Sequence, residues 1–136
     1  MHDLSSAIAE YEANKAHHML LVEDDVSIAN IIHIGVQHLG LHCKIDIAYS
    51  GEEGLEQWHR HPYDILVTDY NLRDITGLDL IQRLKINTLI TPIVLCTAYD
   101  TPLIQQHAQK LGVSAYISKP FFIDQFVDII GNLLTT

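Results

Sequence analysis

Charged residues make up only 18% of the 136, and the cations are the scarcer kind: eight Lys and Arg stand against seventeen Asp and Glu, a net charge of -9 with histidines neutral. A surface that tracks a phosphate backbone needs an excess of cations, so direct nucleic-acid binding is not expected. Long apolar runs are missing too. Stretches such as Ile65-Leu66-Val67 fall far short of the roughly 20 residues needed to span a bilayer, and no membrane association is expected. Residues 1–16 carry Asp3, Glu10 and Glu12 where a secretory signal needs a basic stretch followed by an apolar one, so a cytoplasmic location is expected. Cys43 and Cys96 are the two cysteines, too few and too far apart for a CxxC pair or a four-cysteine zinc site, and both read as reduced structural thiols. The nine histidines lack HExxH or Cys/His spacing and read as surface or helix-end residues.

What the sequence does have is a 48% share of apolar residues, enough to bury one core and too little for two ordinary domains. Residues 1–16 form an N-terminal extension: Ile8, Tyr11 and Lys15 fall at helical spacing, which suits a short helix and a frayed terminus equally. The single domain is expected over 17–136. Short apolar runs there alternate with helical periodicity, the signature of repeated strand–helix units. Met19 to Val22 reads as a strand buried on both faces, and Ile28, Ile31, Ile32 and Leu39 then mark one helix face, ended by Gly40. Cys43 to Ala48 alternates as a strand, and Ser50 with Glu53 makes a capping box for a helix carrying Leu55 and Trp58. Ile65-Leu66-Val67 is a buried strand stopping at Asp69. Thr76 with Asp79 caps the next helix, which uses Leu78, Ile81 and Leu84. Ile93 to Cys96 leads to Thr101-Pro102, a cap followed by proline at the first helical position, and Gly112 closes that helix. Ala115-Tyr116-Ile117 is a short fifth strand, with Phe122, Phe126, Ile129, Ile130 and Leu133 at helical spacing beyond it. Trp58 and these phenylalanines are expected to pack on the sheet. The fold class is α/β, a doubly wound five-stranded parallel sheet with helices on both faces.

In such a sheet ligands bind beyond the carboxyl ends of the strands. There the sequence delivers Glu23-Asp24-Asp25 after the first strand, Asp69 after the third, Thr97 after the fourth and Lys119 after the fifth. Carboxylates brought within about 4–6 Å repel one another unless a cation neutralises them, and a few oxygen ligands suit Mg²⁺. Asp25 and Asp69 are the expected direct ligands, with Asp24 acting through water. Asp69 is the expected nucleophile toward phosphorus, because strand packing holds it in place. Thr97 is expected to donate to a phosphoryl oxygen and Lys119 to pair with another.

These residues, with Thr97-Ala98, Tyr116, Lys119-Pro120-Phe121 and Gly77 eight residues beyond Asp69, resemble the receiver (CheY-like) domain of two-component response regulators over residues 18–134. The resemblance implies the flavodoxin-like strand order 2-1-3-4-5. It also implies that Asp69 accepts phosphate from a histidine kinase or histidine phosphotransfer protein, and that the backbone carbonyl of Asn71 joins Asp24 and Asp25 around Mg²⁺. Thr97 and Tyr116 then form a switch pair that reshapes an output surface for a downstream protein target, and Lys119-Pro120 is a cis peptide. Arg73 stands where the family commonly has proline, implying a more mobile loop or a guanidinium near the phosphoryl group. Tyr99 and Asn71 occupy positions that tune the lifetime of the acyl phosphate.

The domain is expected to act as a phosphoacceptor rather than an enzyme, beyond self-phosphorylation and self-dephosphorylation. A stand-alone receiver signalling by protein contact is expected, the alternative being a receiver cut from a larger regulator or hybrid kinase; a homodimer is left open. A competing class is the aspartate-nucleophile phosphatase, but its motif has a second acid two residues after the nucleophile, where this chain has Asn71.

Overall fold

Three adjacent strands are apolar and buried over all but one or two residues at one end, and the architecture follows from hiding both faces of each. A computed structural model describes residues 4–7 and 16–135. The spacing of Ile8, Tyr11 and Lys15 lies outside the described residues, and residues 4–7 are an exposed helical turn. The elements are β1 (His17–Val22), α1 (Val26–His38), β2 (Cys43–Ala48), α2 (Gly51–Arg60), β3 (Ile65–Asp69), α3 (Gly77–Leu84), β4 (Ile93–Thr97), α4 (Pro102–Lys110), β5 (Ala115–Ser118) and α5 (Ile123–Thr135). All strand pairs are parallel, in the order β2-β1-β3-β4-β5, the expected doubly wound fold. No described helix is long and apolar enough to cross a membrane.

Side chains alternate across a strand, so each strand feeds two cores. Met19, Leu21, Ile65, Val67, Val94 and Ile117 face α1 and α5, where Ala29, Ile32, Val36, Phe126 and Ile130 meet them. Leu20, Val22, Leu66, Ile93 and Leu95 face α2, α3 and α4, packing with Leu78, Leu80, Ile81, Leu84 and Ala108. Gly35 lets α1 approach α5, since a Cβ there would lie 2.1 Å from Ile123 Cγ1. Cys43 and Cys96 are free and buried, and burial pushes their thiols up to about 11 and about 12, as suits structural cysteines.

The helix starts form as their caps dictate. Ser50, Thr76 and Thr101 each accept from the backbone N–H three residues on. Gly40 and Gly112 follow α1 and α4 with φ of 77° and 82°, left-handed values that favour glycine.

Three packing expectations need correction. Ile31 and Leu39 are 60% and 50% exposed; the buried face of α1 runs through Ala29, Ile32, Gly35 and Val36, one step round the helix. Phe122 lies before α5 and is 76% exposed, while Phe126 fills the core. His18 is not a plain surface histidine. Its Nε2 lies 2.9 Å from Asp46 Oδ2, which also accepts from the Tyr63 hydroxyl at 2.8 Å, and its ring packs on Tyr63 at 4.6 Å.

Burial alone would raise the pKa of Asp46, but the Tyr63 hydroxyl, the His18 ring and Lys44 outweigh it and hold the carboxyl below its ordinary value. A depressed carboxylate contributes stability that is present above its unfolded pKa, about 3.9, and lost as pH falls through the folded value. Denaturant titrations of wild type and Asp46→Asn are therefore expected to show a stability gap at pH 6 that narrows in acid below about pH 4. A gap that stays constant down to that range would contradict this role for Asp46.

Candidate functional site

β1 and β3 run in parallel register, with Val22 opposite Thr68. One step further along, Glu23 comes opposite Asp69, and alternation turns both side chains to the α1 and α5 side of the sheet. The Glu23 N–H still donates to Ala48 O at 2.9 Å, so the ladder carries past the end of β1 and holds Glu23 in place. β4 and β5 end with Thr97 opposite Ser118, which brings Lys119 up beside the same edge; the Lys119-Pro120 bond that follows it is cis. Gly77 backs the site: its Cβ would lie 2.3 Å from Asp69 O, an approach only glycine permits.

Strand geometry thus assembles a buried charge cluster. Lys119 Nζ lies 2.7 Å from Asp69 Oδ1 and 2.8 Å from Glu23 Oε1. The Asn71 N–H donates to the other Asp69 oxygen at 3.2 Å. Glu23, Asp24 and Asp69 present carboxylate oxygens that all lie within 4.8 Å of one another. Burial raises the pKa of Asp69, with Asp24 adding to the rise and the Lys119 ammonium opposing it. Burial likewise raises Glu23, with Asp69 adding and Lys119 again opposing. Burial would lower Lys119, but its two carboxylate partners outweigh that and raise it. Three carboxylates gather beside one ammonium, which touches Glu23 and Asp69, so with all three ionised the cluster is short of positive charge by two.

Of the two acids that flank Asp24, it is Glu23 and not Asp25 that lies with Asp24 and Asp69. The Asp25 side chain accepts from Ile28 N at 3.1 Å and caps α1, while Glu23 joins the cluster. The signal for Glu23 lay in strand register, one position past the last apolar residue. Asp24 is where it was expected, beside Asp69.

The Thr97 hydroxyl is buried and turned to the loop after β4, accepting from Tyr99 N at 2.8 Å and donating to Tyr99 O at 3.3 Å. The Tyr116 hydroxyl donates to that same carbonyl at 3.2 Å. One backbone oxygen therefore joins the two hydroxyls of the expected switch pair. Arg73 is exposed, and beside it Asp74 accepts from Gly51 N and Glu52 N and so ties the loop after β3 to α2.

The response regulator receiver domain family matches residues 19–131. The chain belongs to this family. It is 31% identical over 116 residues to the response regulator ArlR of Staphylococcus saprophyticus, covering 85% of this receiver and 51% of ArlR. The receiver spans about half the length of the curated relatives it matches. A CheY-like receiver domain protein from Methanospirillum hungatei superposes with a TM-score of 0.82 at 21% identity, over 89% of this chain and 95% of that one, a likeness of fold. The response regulator TrrA from Thermotoga maritima, solved in complex with Mg²⁺ and a beryllium fluoride, is 25% identical with a TM-score of 0.74, over 86% of this receiver and 98% of TrrA.

The donor set, oxygen only and few in number, fits a hard divalent cation such as Mg²⁺. Calorimetric Mg²⁺ titration is expected to show affinity falling at least about tenfold in Asp24→Asn and falling in Glu23→Gln. Asp25→Ala is expected to keep wild-type affinity while losing about 1 kcal/mol of stability with its cap. The reverse pattern, Asp25 needed and Glu23 dispensable, would contradict this assignment.

Proposed function

We propose that this receiver takes a phosphoryl group on Asp69 from a histidine kinase or histidine phosphotransfer protein and passes the signal on through a change of surface. The observation that carries the reading is the Asp69–Lys119 ion pair, buried at the strand ends beside Glu23 and Asp24. A carboxylate held so, with one oxygen on the ammonium and the other on a backbone N–H, is oriented as a nucleophile. An Asp69 oxygen attacks phosphorus, the new P–O bond forms as the donor's P–N bond breaks, and the imidazole leaves with the bonding pair. Mg²⁺ bound by Asp24, Asp69, Glu23 and the Asn71 carbonyl would supply charge neutralisation at the phosphoryl oxygens. The TrrA complex with Mg²⁺ and beryllium fluoride supports this assignment by analogy of site.

Lys119 would then exchange Glu23 for a phosphoryl oxygen. Thr97 would leave Tyr99 O to donate to another, freeing the carbonyl it shares with the Tyr116 hydroxyl and biasing a two-state packing of the loop between β4 and α4. Beside the site, Ile28, Ile31, Ile32, Ala98, Pro120 and Phe121 line an apolar groove of about 340 Å³. It offers a protein phosphodonor a seat next to Asp69. The output reads as a contact with a downstream protein. A second reading, output through transcription, is favoured by the names of longer relatives such as the transcriptional regulatory protein TrcR of Mycobacterium tuberculosis, of which the chain covers 44%.

Incubation with Mg²⁺ and a small acyl-phosphate donor is expected to add one phosphoryl group by intact mass. The Asp69→Asn variant should take none, and Lys119→Ala should label at least about a hundredfold more slowly. Undiminished labelling of Asp69→Asn would remove the proposed nucleophile. Release of phosphate from many added monoesters, with no labelled protein, would favour the phosphatase class instead.

A further inference from the structure

The first turn of a helix leaves backbone N–H groups without partners inside the helix. In α2 these donors are all engaged, and two of them by a residue from another loop. Ser50 Oγ takes the Glu53 N–H at 3.1 Å and Ser50 O takes that of Gly54 at 3.0 Å. The Gly51 and Glu52 N–H groups both donate to Asp74, one to each carboxylate oxygen, at 2.9 Å. Burial opposes ionisation of Asp74, but these backbone donors, with that of Ile75, outweigh it and hold the carboxyl below its ordinary value.

Asp74 sits at the tip of the loop from Tyr70 to Thr76. The base of that loop is closed by Gly77 N donating to Tyr70 O at 2.7 Å and by a bridge between Asn71 and Thr76. Asn71 in turn holds Asp69 through its N–H. The tip is fixed twice over, because Ile75 packs onto Gly51 so closely that a Cβ there would lie 2.3 Å from Ile75 Cγ1 and 3.2 Å from Asp74 Oδ1. A rigid path therefore runs from the start of α2 through Asp74 and the Asn71–Thr76 bridge to the proposed phosphoacceptor.

We infer that Asp74 is a positioning residue, anchoring the loop so that Asn71 and Asp69 present their oxygens to the metal and the phosphoryl group. The inference rests on the phosphoacceptor reading above and adds to it a residue that touches neither ligand. Releasing the tip lets the Asn71 backbone wander, so the metal and the phosphoryl group each must order it on binding.

The test compares wild type, Asp74→Ala, Asp74→Asn and Gly51→Ala for Mg²⁺ affinity by calorimetry, labelling rate with an acyl-phosphate donor, and melting temperature. Asp74→Ala is expected to weaken Mg²⁺ binding and slow labelling by about tenfold each, the scale of losing a group that orients a ligand. Asp74→Asn keeps an oxygen that accepts and should recover part of both. Gly51→Ala, which reaches the site only by displacing Ile75 and Asp74, should reproduce the loss, and it decides alone if Asp74→Ala does not fold. Lower melting temperatures with Mg²⁺ affinity and labelling of the folded protein unchanged would overturn the anchor while leaving the phosphoacceptor reading intact. A wild type that takes no label would overturn that reading and the anchor with it.

Discussion

The ammonium of Lys119 is the tie on which the functional edge depends. It reaches from the end of β5 to carboxylates at the ends of β1 and β3, with 18% of its side chain exposed against 4% for Glu23 and 8% for Asp69. Charges so far from water are tolerable only when paired, and one cation cannot balance three acids. The residual negative charge suits the site to a divalent ion and, on the proposed phosphoacceptor reading, gives Lys119 a reason to change partners when a phosphoryl group arrives.

Everything else serves to hold that tie in register. Parallel pairing of β1 with β3, and of β4 with β5, places Glu23 and Lys119 one residue past the last ladder pairs, while the two cores leave the strands no freedom to slip. Loops finish the work locally. Gly77 admits the Asp69 carbonyl, Asp74 fastens the loop after β3, and the Tyr99 carbonyl collects the Thr97 and Tyr116 hydroxyls of the proposed switch pair. Asp69 ends β3, and Glu23, Asp24 and Lys119 directly follow the ends of β1 and β5, so the sheet fixes where the charges meet.

Most of the fold was legible because strongly apolar runs and capping boxes are local signals: every strand and every helix start expected from Ser50, Thr76 and Thr101 is present. The residues misread are those whose fate is decided by a partner distant in sequence. Glu23 looks like the mere start of an acidic run until register sets it opposite Asp69. Ile31 and Leu39 are apolar at plausible spacing, yet α5 meets α1 one step round, at Gly35. His18 gains its role only through Asp46 and Tyr63, from β2 and the loop before β3. Asp74 carried no sequence signal at all for the same reason, since its partners Gly51 and Glu52 lie more than twenty residues upstream.

Crystals grown with Mg²⁺ and beryllium fluoride test the charge account most directly. It predicts an ion touching Glu23, Asp24 or both together with Asp69, the fluoride complex on Asp69, and Lys119 Nζ turned from Glu23 to the complex. Lys119 still bridging Glu23 and Asp69, with the ion bound elsewhere or absent, would contradict it.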